Sequence, residues 1–131
     1  MSKQHFLAFD LGASSGRAIL GTLENNQLKL TEVHRFKNQM TKIHGHFYWN
    51  IFNLFEELKT GLNKCVSDEG IKPLSFGVDT WAVDYSLLAK NGQLTGLPFA
   101  YRDHRTDSAM DAFFQLISQI FTFIIFFLLF F

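Results

Sequence analysis

The sequence predicts an α/β fold in which a mixed β-sheet is combined with two helices. Three patterns support this prediction. The continuous apolar run Phe6–Phe9 is typical of a strand buried on both faces. Apolar residues partly alternate from Leu28 to Phe36, as in a half-buried strand, and recur every three or four positions from Ile51 to Val66, as on one face of a helix.

The first half of the chain predicts an antiparallel meander followed by a helix. The first strand ends at Asp10, and a second strand is predicted over Ala18–Leu23. Asparagines then predict a turn before the third strand, in which the imperfect alternation indicates a bulge. We interpret Lys37–Trp49 as a connection, and Asn50 as the N-cap of the helix.

The second half predicts one strand, one hairpin and one helix. The strand is Leu74–Val78, which ends at Asp79, and a further β run covers Tyr85–Ala89. Asn91-Gly92 is a strong hairpin signal. The last helix is capped by Thr106 or Ser108. Its predicted apolar residues are Ala109, Met110, Phe113, Phe114 and Ile117.

Charge and cysteine content limit the possible partners. Lysine plus arginine equals aspartate plus glutamate, twelve each, so nothing attracts nucleic acid or an anionic membrane, and we expect neither as a partner. Cys65 is the single cysteine and lies in a helical pattern, so it is interpreted as a small core residue. This cysteine usage predicts a cytoplasmic protein.

The segment 120–131, IFTFIIFFLLFF, differs from the rest of the chain. Twelve residues are too few to cross a bilayer, although the uncharged stretch 112–131 approaches the required length of about 20 residues. A core helix would have a polar face, and this segment has none. It also lacks the flanking residues that are typical of a membrane anchor. We favour a non-native origin, such as a frameshift, over a membrane tail, and divide the chain into 1–119 and 120–131.

The turn that follows the first strand is equipped to bind phosphates. Glycines allow close approach of backbone N–H groups, the serine hydroxyls donate hydrogen bonds, and Arg17 adds a forked cation. Asp10 would repel phosphates unless a hydrated Mg²⁺ lay between them. A plain polar turn is the alternative, because the spacing fits neither GxxxxGK[ST] nor GxGxxG.

Two predicted strands end in aspartate, and the residues that follow Asp79 are of the types that bind a sugar. If Asp10 and Asp79 are neighbours in the sheet, both carboxylates project from one edge. Trp81 offers a flat apolar face to a sugar ring, and small Ala82 leaves room for it. Asp103 lies in a second polar segment, Tyr101–Arg105.

Each of these residues has a structural alternative. Trp81 can be a core residue, Asp84 and Asp103 can cap turns or helices, and the arginines can pair with nearby carboxylates. His44 and His46 are two potential metal ligands, but no further ligand cluster lies near them, so a solvated loop is favoured.

These residues occur in segments that resemble the rhamnulokinase branch of the FGGY carbohydrate kinases, in the actin/Hsp70-like superfamily. The segments are FDLGASSGRAIL, EVHRF, GVDTWAVDYSLL, NGQ, GLP and AYRDHRT, within about Phe6–Ser118. The resemblance implies a ribonuclease-H-like domain that forms half of a two-domain actin-like kinase. It also implies Mg²⁺-dependent transfer of a phosphoryl group from ATP to the 1-hydroxyl of L-rhamnulose.

The resemblance assigns roles to individual residues. It places the ATP phosphates on Ala13, Ser14, Ser15, Gly16 and Arg17. It places Asp10 near Mg²⁺ and Ala82 against the sugar, where members of that branch often have glycine. The Tyr101–Asp103 segment resembles one that helps to line the sugar pocket in the family. The predicted substrate-binding residues besides Ala82 are therefore Asp79, Trp81 and Asp103.

The resemblance places the catalytic base outside this chain. In the family the base is an aspartate in a later segment, and the adenine-binding domain lies later still. We therefore expect no catalytic residue here, and we expect the chain to be an N-terminal fragment that is inactive alone. Alternatives are a kinase for another ketose or polyol, and a non-catalytic sugar- or nucleotide-binding module.

Overall fold

The computed structural model describes residues 3–117 and 121, and its chain divides into two compact units, Met1–Tyr101 and Arg102–Phe131. The elements of the first unit are β1 (Gln4–Leu11), β2 (Ser15–Glu24), β3 (Gln27–Lys37), β4 (Met40–Ile43), β5 (His46–Trp49), α1 (Ile51–Ser67) and β6 (Ser75–Thr80). The second unit contains a 3₁₀-helix (His104–Thr106) and α2 (Ala109–Leu116).

The main sheet has the strand order β3-β2-β1-β6. β1 pairs antiparallel with β2 and parallel with β6, and β2 pairs antiparallel with β3, so the predicted mixed sheet and meander are confirmed. Asn25 and Asn26 both have positive φ, as a two-residue hairpin turn requires. The predicted bulge is also confirmed, because the register between β2 and β3 skips Val33.

Helix α1 covers one face of this sheet. Asn50 accepts a hydrogen bond from the backbone N–H of Asn53 at 3.0 Å, which confirms it as the N-cap. A Cβ on Gly61 would lie 2.9 Å from both Ala18 Cβ and Phe9 Cε1, so a glycine here lets the helix approach the sheet closely. The buried core between them consists of Leu7, Phe9, Ala18, Leu20 and Cys65.

A polar link joins β3 to α1 beside this core. Lys64 Nζ lies 3.1 Å from His34 Nδ1, and His34 Nε2 lies 2.6 Å from Glu57 Oε2. Because a lysine ammonium group only donates, Nδ1 accepts and Nε2 carries the proton that is donated to Glu57. The imidazole is thereby fixed at the surface of the sheet that faces α1.

Two sequence predictions, one of a loop and one of a strand, were wrong. The predicted connection 37–49 contains the hairpin β4–β5, in which His44 and Gly45 form the turn with φ of 49° and 88°. Histidine is a less familiar turn signal than asparagine, but it too adopts positive φ. Conversely, the predicted strand Tyr85–Ala89 pairs with no other strand of the described residues and makes an isolated bridge, Leu88 to Leu94. The predicted turn at Gly92 is present.

The second unit is short. Asp103 Oδ1 accepts a hydrogen bond from the Arg105 backbone N–H at 3.0 Å and so caps the 3₁₀-helix. The predicted last helix is confirmed as α2, with Ser108 at its N-cap position but without a side-chain cap bond. Among residues 3–117 and 121, no helix is long and apolar enough to cross a membrane. The predicted boundary at 119/120 and nearly all of the tail lie outside the described residues.

Cys65 is expected to resist alkylation in the native protein. It has 0 % exposure, its Sγ lies 3.6 Å from the Ile71 carbonyl oxygen, and burial raises the pKa of its thiol. Little thiolate then forms near neutral pH, and the reagent has no access to it. Iodoacetamide should label the chain slowly in buffer and rapidly in concentrated urea. Equally rapid labelling in both would show that Cys65 is not part of the core.

Candidate functional site

The carboxyl ends of β1 and β6 bring the two predicted aspartates side by side. In the parallel register Asp10 is opposite Asp79, and in the antiparallel register Asp10 is opposite Arg17 of β2. Arg17 is in turn opposite Arg35 of β3. Because paired residues share a face, four charged side chains form a row on the face opposite α1. We call Asp10 and Asp79 the carboxylate edge.

Asp10 and Arg17 form an ion pair in this row. Arg17 Nε and Nη2 donate to the same oxygen, Asp10 Oδ2, at 2.9 and 2.7 Å. The two side chains are 40 and 43 % exposed, so water screens the pair and it contributes at most about 1 kcal/mol to stability. The pair is therefore weak enough to be exchanged for a ligand, since each partner is accessible.

Arg35 extends the positive end of the row. It is hydrogen-bonded to Glu32, and this bond lowers the pKa of the Glu32 carboxyl, with smaller contributions from the charges of Arg35 and Arg17. The same bond raises the pKa of Arg35, with a further contribution from Asp10. Within the row, the negative charge of Asp10 thus favours the charged form of Arg35.

Gly12–Ser14 form the turn between β1 and β2. The Gly12 N–H donates to the Ser15 carbonyl at 2.9 Å. Asn38, which is buried, donates from its backbone N–H to the Ser14 carbonyl at 3.0 Å and from Nδ2 to the Gly12 carbonyl at 2.9 Å. The two bonds from Asn38 use carbonyl oxygens, which an anion would avoid, and none of the three bonds uses the hydroxyl of Ser14. The Gly12 N–H, by contrast, is a donor that is already engaged. Sequence reasoning missed Asn38, which follows the third strand without any motif.

Gly16 has a packing role in the sheet that the sequence did not suggest. It lies in β2 opposite Phe36, and a Cβ at this position would be 2.2 Å from Phe36 Cζ. The ring of Phe36 therefore occupies the place of the missing side chain. Ser15 and Arg17 likewise belong to β2, so only Ala13 and Ser14 of the five predicted phosphate ligands lie in the turn itself.

The residues after β6 form a second polar and aromatic group. Trp81 is half-buried, Ala82 is exposed, and Asp84 accepts hydrogen bonds from the indole N–H groups of both Trp49 and Trp81. Trp49 comes from β5, and sequence reasoning did not connect it with this region. Asp84 does not cap a helix here, and Trp81 is not a fully buried core residue.

Two other candidates are placed as follows. Asp103 lies in the second unit, where it is buried and caps the 3₁₀-helix, in agreement with its structural alternative. His44 is the first residue of the β4–β5 turn, and His46 is the first residue of β5. Within the described part of the chain, no group of three or more histidine, cysteine, aspartate or glutamate side chains is arranged to hold a metal ion.

The sequence is similar to those of rhamnulokinases. It is 48 % identical over 117 residues to the rhamnulokinase of Bacteroides thetaiotaomicron, covering 89 % of this chain and 24 % of that protein. It is 50 % identical over 105 residues to that of Halalkalibacterium halodurans, covering 80 and 22 %. The chain thus spans about a quarter of the length of these curated relatives. No protein-family model matches it.

The fold is similar to parts of solved sugar kinases. Gluconate kinase from Lactobacillus acidophilus matches with a TM-score of 0.71 and 11 % identity, over 85 % of this chain and 22 % of that one. Xylulose kinase from Rhodospirillum rubrum matches with a TM-score of 0.69 and 15 % identity, over 88 and 24 %. At these identities the likeness concerns the fold. The chain is thus similar in sequence to a segment that makes up about a quarter of the length of rhamnulokinases, and similar in fold to parts of a gluconate kinase and a xylulose kinase.

Proposed function

We propose that the chain is part of a cytoplasmic sugar kinase that transfers the γ-phosphoryl group of ATP to the 1-hydroxyl of L-rhamnulose. The observation that carries this proposal is the identity of about one residue in two with rhamnulokinases over most of the chain. The pairing of Asp10 with Asp79 and the turn beside them are compatible with it. Phosphoryl transfer requires positioning and charge stabilisation, which such a sheet edge can provide.

In this proposal Ala13, Ser14, Ser15, Gly16 and Arg17 bind the ATP phosphates. Asn38 holds the turn through carbonyl oxygens, and Arg17 is close enough to be drawn from Asp10 to a phosphate. A guanidinium group binds phosphate oxygens through paired N–H donors. The positive charge of Arg17 offsets the negative charge of Asp10 when no ligand is bound.

Asp10 is proposed to hold Mg²⁺ with the phosphates. The donor set fits this ion, because Mg²⁺ is commonly bound through one or two carboxylates, phosphate oxygens and waters. Arg17 uses Asp10 Oδ2, and the neighbouring Asp79 supplies a second carboxylate at the same edge. When bound, Mg²⁺ would offset the negative charge on the phosphates.

Asp79, Trp81 and Ala82 are proposed to bind the sugar. Carboxylates accept hydrogen bonds from hydroxyl groups, and Trp81 retains an accessible face. We place the catalytic base outside these 131 residues, as the family resemblance implies, and propose that the chain alone does not phosphorylate sugars. A kinase for another ketose or polyol is the second candidate, because Ala82 stands where the rhamnulokinase branch often has glycine.

A chimera tests the proposal. The segment of the Bacteroides thetaiotaomicron rhamnulokinase that aligns with this chain is replaced by residues 3–117. We expect the chimera to phosphorylate L-rhamnulose, and Asp10→Asn to reduce the rate at least about 100-fold by removing a metal carboxylate. Glu24→Gln is the matched control, because Glu24 makes an ion pair with Lys3 near the other end of β1 and β2.

The chimera also separates the alternatives. Preference for a different ketose in a substrate panel would replace L-rhamnulose in the proposal. A folded chimera that binds sugar without turnover, while the parent enzyme is active, would favour a binding module. Equal activity of Asp10→Asn and Glu24→Gln would remove Asp10 from the metal site.

A further inference from the structure

Asp84 joins the two tryptophans of this chain through a single atom. The indole Nε1 of Trp49 donates to Asp84 Oδ2 at 2.5 Å, and the indole Nε1 of Trp81 donates to the same oxygen at 2.6 Å. Trp49 is 35 residues before Asp84, whereas Trp81 is three residues before it. One carboxylate oxygen therefore fixes the end of β5 to the loop after β6.

The two indole rings are held against each other. Their centroids are 4.5 Å apart and their planes are inclined by 44°. Trp49 is 2 % exposed and its backbone N–H donates to the Pro98 carbonyl at 2.9 Å, so it is the fixed member of the pair. Trp81 is the half-buried member, and part of its surface remains accessible to a ligand.

The backbone between Trp81 and Asp84 is strained. Val83 has a φ of 75°, a conformation that β-branched residues rarely adopt. Such a residue costs of the order of 1–3 kcal/mol and persists where surrounding contacts determine the conformation. The hydrogen bonds from both indoles to Asp84 are contacts of this kind, since they hold the loop on either side of Val83.

A cleft of about 220 Å³ opens beside this pair. The lining combines aromatic and apolar surface from Trp49, Trp81 and Pro98 with hydroxyl groups from Thr80, Tyr85 and Ser86. An acyclic or cyclic polyol has the complementary surface, because its C–H groups pack on aromatic rings and its hydroxyl groups exchange hydrogen bonds. The cleft includes Thr80 but not Asp79, because the side chains of these successive strand residues point to opposite faces of the sheet.

We propose that Asp84 is a positioning residue that holds Trp81 against Trp49, and that this tryptophan cleft binds the C–H face of a ketose or polyol. The ligand class rests on the proposed function. The positioning of the indoles rests on the hydrogen bonds alone. Loss of Asp84 removes the shared acceptor from both indole N–H groups, and the half-buried Trp81 ring then loses its fixed orientation against Trp49.

The first experiment records the indole N–H signals of the complete chain in ¹⁵N-resolved NMR spectra. Because the sequence contains two tryptophans, there are two such signals to assign. We expect Asp84→Ala to shift both signals and accelerate their hydrogen exchange. Asp84→Asn keeps the side-chain shape and should give a smaller change in the same two signals. Asp68→Ala, which removes an exposed carboxylate after α1, should move neither.

The second experiment titrates the chain with L-rhamnulose. We expect a saturable change at the Trp81 indole, and an apparent Kd at least about tenfold weaker in Asp84→Ala, equivalent to about 1.4 kcal/mol. Asp84→Asn should lose less affinity. A response of one indole signal or neither to Asp84→Ala would overturn the positioning role. An unchanged Trp81 signal in saturating sugar would overturn the ligand assignment. Failure of the proposed function is a separate result, because it would appear as a lack of kinase activity in the chimera.

Discussion

Gly16→Ala is expected to lower the free energy of unfolding by about 1–3 kcal/mol, the range for overpacking a well-packed core. The added Cβ would lie 2.2 Å from Phe36 Cζ and 2.7 Å from the two Cε atoms, so the ring must move. Phe36 is 7 % exposed and stacks on His34 with centroids 5.7 Å apart. His34 is itself held by Glu57, which limits where the ring can go.

Urea unfolding measures this effect, because a change in midpoint at constant slope reports stability. Gly21→Ala is the matched control in the same strand, since its Cβ would be an ordinary 3.5 Å from Leu28 Cδ1. The double variant Gly16→Ala/Phe36→Leu removes the ring and should recover part of the loss. An unchanged midpoint for Gly16→Ala, or a double variant no better than the single one, would contradict the packing role.

The same variants separate two roles of Gly16. The sequence suggested a glycine that admits phosphates, whereas the structure shows a glycine that admits a phenyl ring. If Gly16→Ala/Phe36→Leu is folded, its binding of Mg²⁺·ATP can be measured without the original clash. Loss of ATP binding in this folded variant would support a phosphate role in addition to packing.

The meander and the carboxylate edge could be predicted because their signals are local. Apolar periodicity placed the strands and α1, and short connections implied antiparallel pairing. Asp10 and Asp79 each end an apolar run, which is sufficient to expect them at the ends of strands. The parallel pairing that makes them neighbours is observed in the structure.

The contacts that complete the site could not be predicted, because they join distant residues without a motif. Asn38 closes the Gly12–Ser14 turn from 26 positions away, and Trp49 reaches Asp84 across 35 positions. Single polar or aromatic residues of this kind have many possible partners. The residues before Trp49 were also misassigned, because a His44-Gly45 turn lacks the asparagine or aspartate that usually marks a hairpin.

The second large effect concerns β6, which is the last strand on one side of the sheet within residues 3–117 and 121. All its residues are exposed, and Phe76 and Val78 line an apolar groove of about 260 Å³ together with Phe9 and Phe55. Ser75–Thr80 contains no lysine or proline, which commonly protect edge strands from pairing. We therefore expect two copies of the chain to pair through β6 as their concentration rises.

The side-chain pattern favours an antiparallel register centred on Gly77. Phe76 of one copy is then opposite Val78 of the other on the apolar face, and Ser75 is opposite Asp79 on the polar face. The net charge of zero at pH 7 gives no overall repulsion between the copies. In the alternative register centred on Val78, Gly77 would be opposite Asp79, so a charge introduced at position 77 distinguishes the two.

Gly77→Lys is expected to abolish this pairing. A Cβ at Gly77 meets nothing within 4 Å, so the variant should fold, but in the Gly77-centred register it places two ammonium groups opposite each other. Gly77→Thr adds a side chain without charge and should pair at least as well as the original chain. The original chain and both variants contain the apolar segment 120–131, which could itself cause association. Hydrogen exchange of the β6 amides is therefore the measurement, because it reports pairing at this strand. We expect protection that rises with concentration in Gly77→Thr but not in Gly77→Lys.

Two other outcomes are informative. Stronger protection in Gly77→Lys would indicate the Val78-centred register. No protection in any of the three chains would show that β6 remains unpaired.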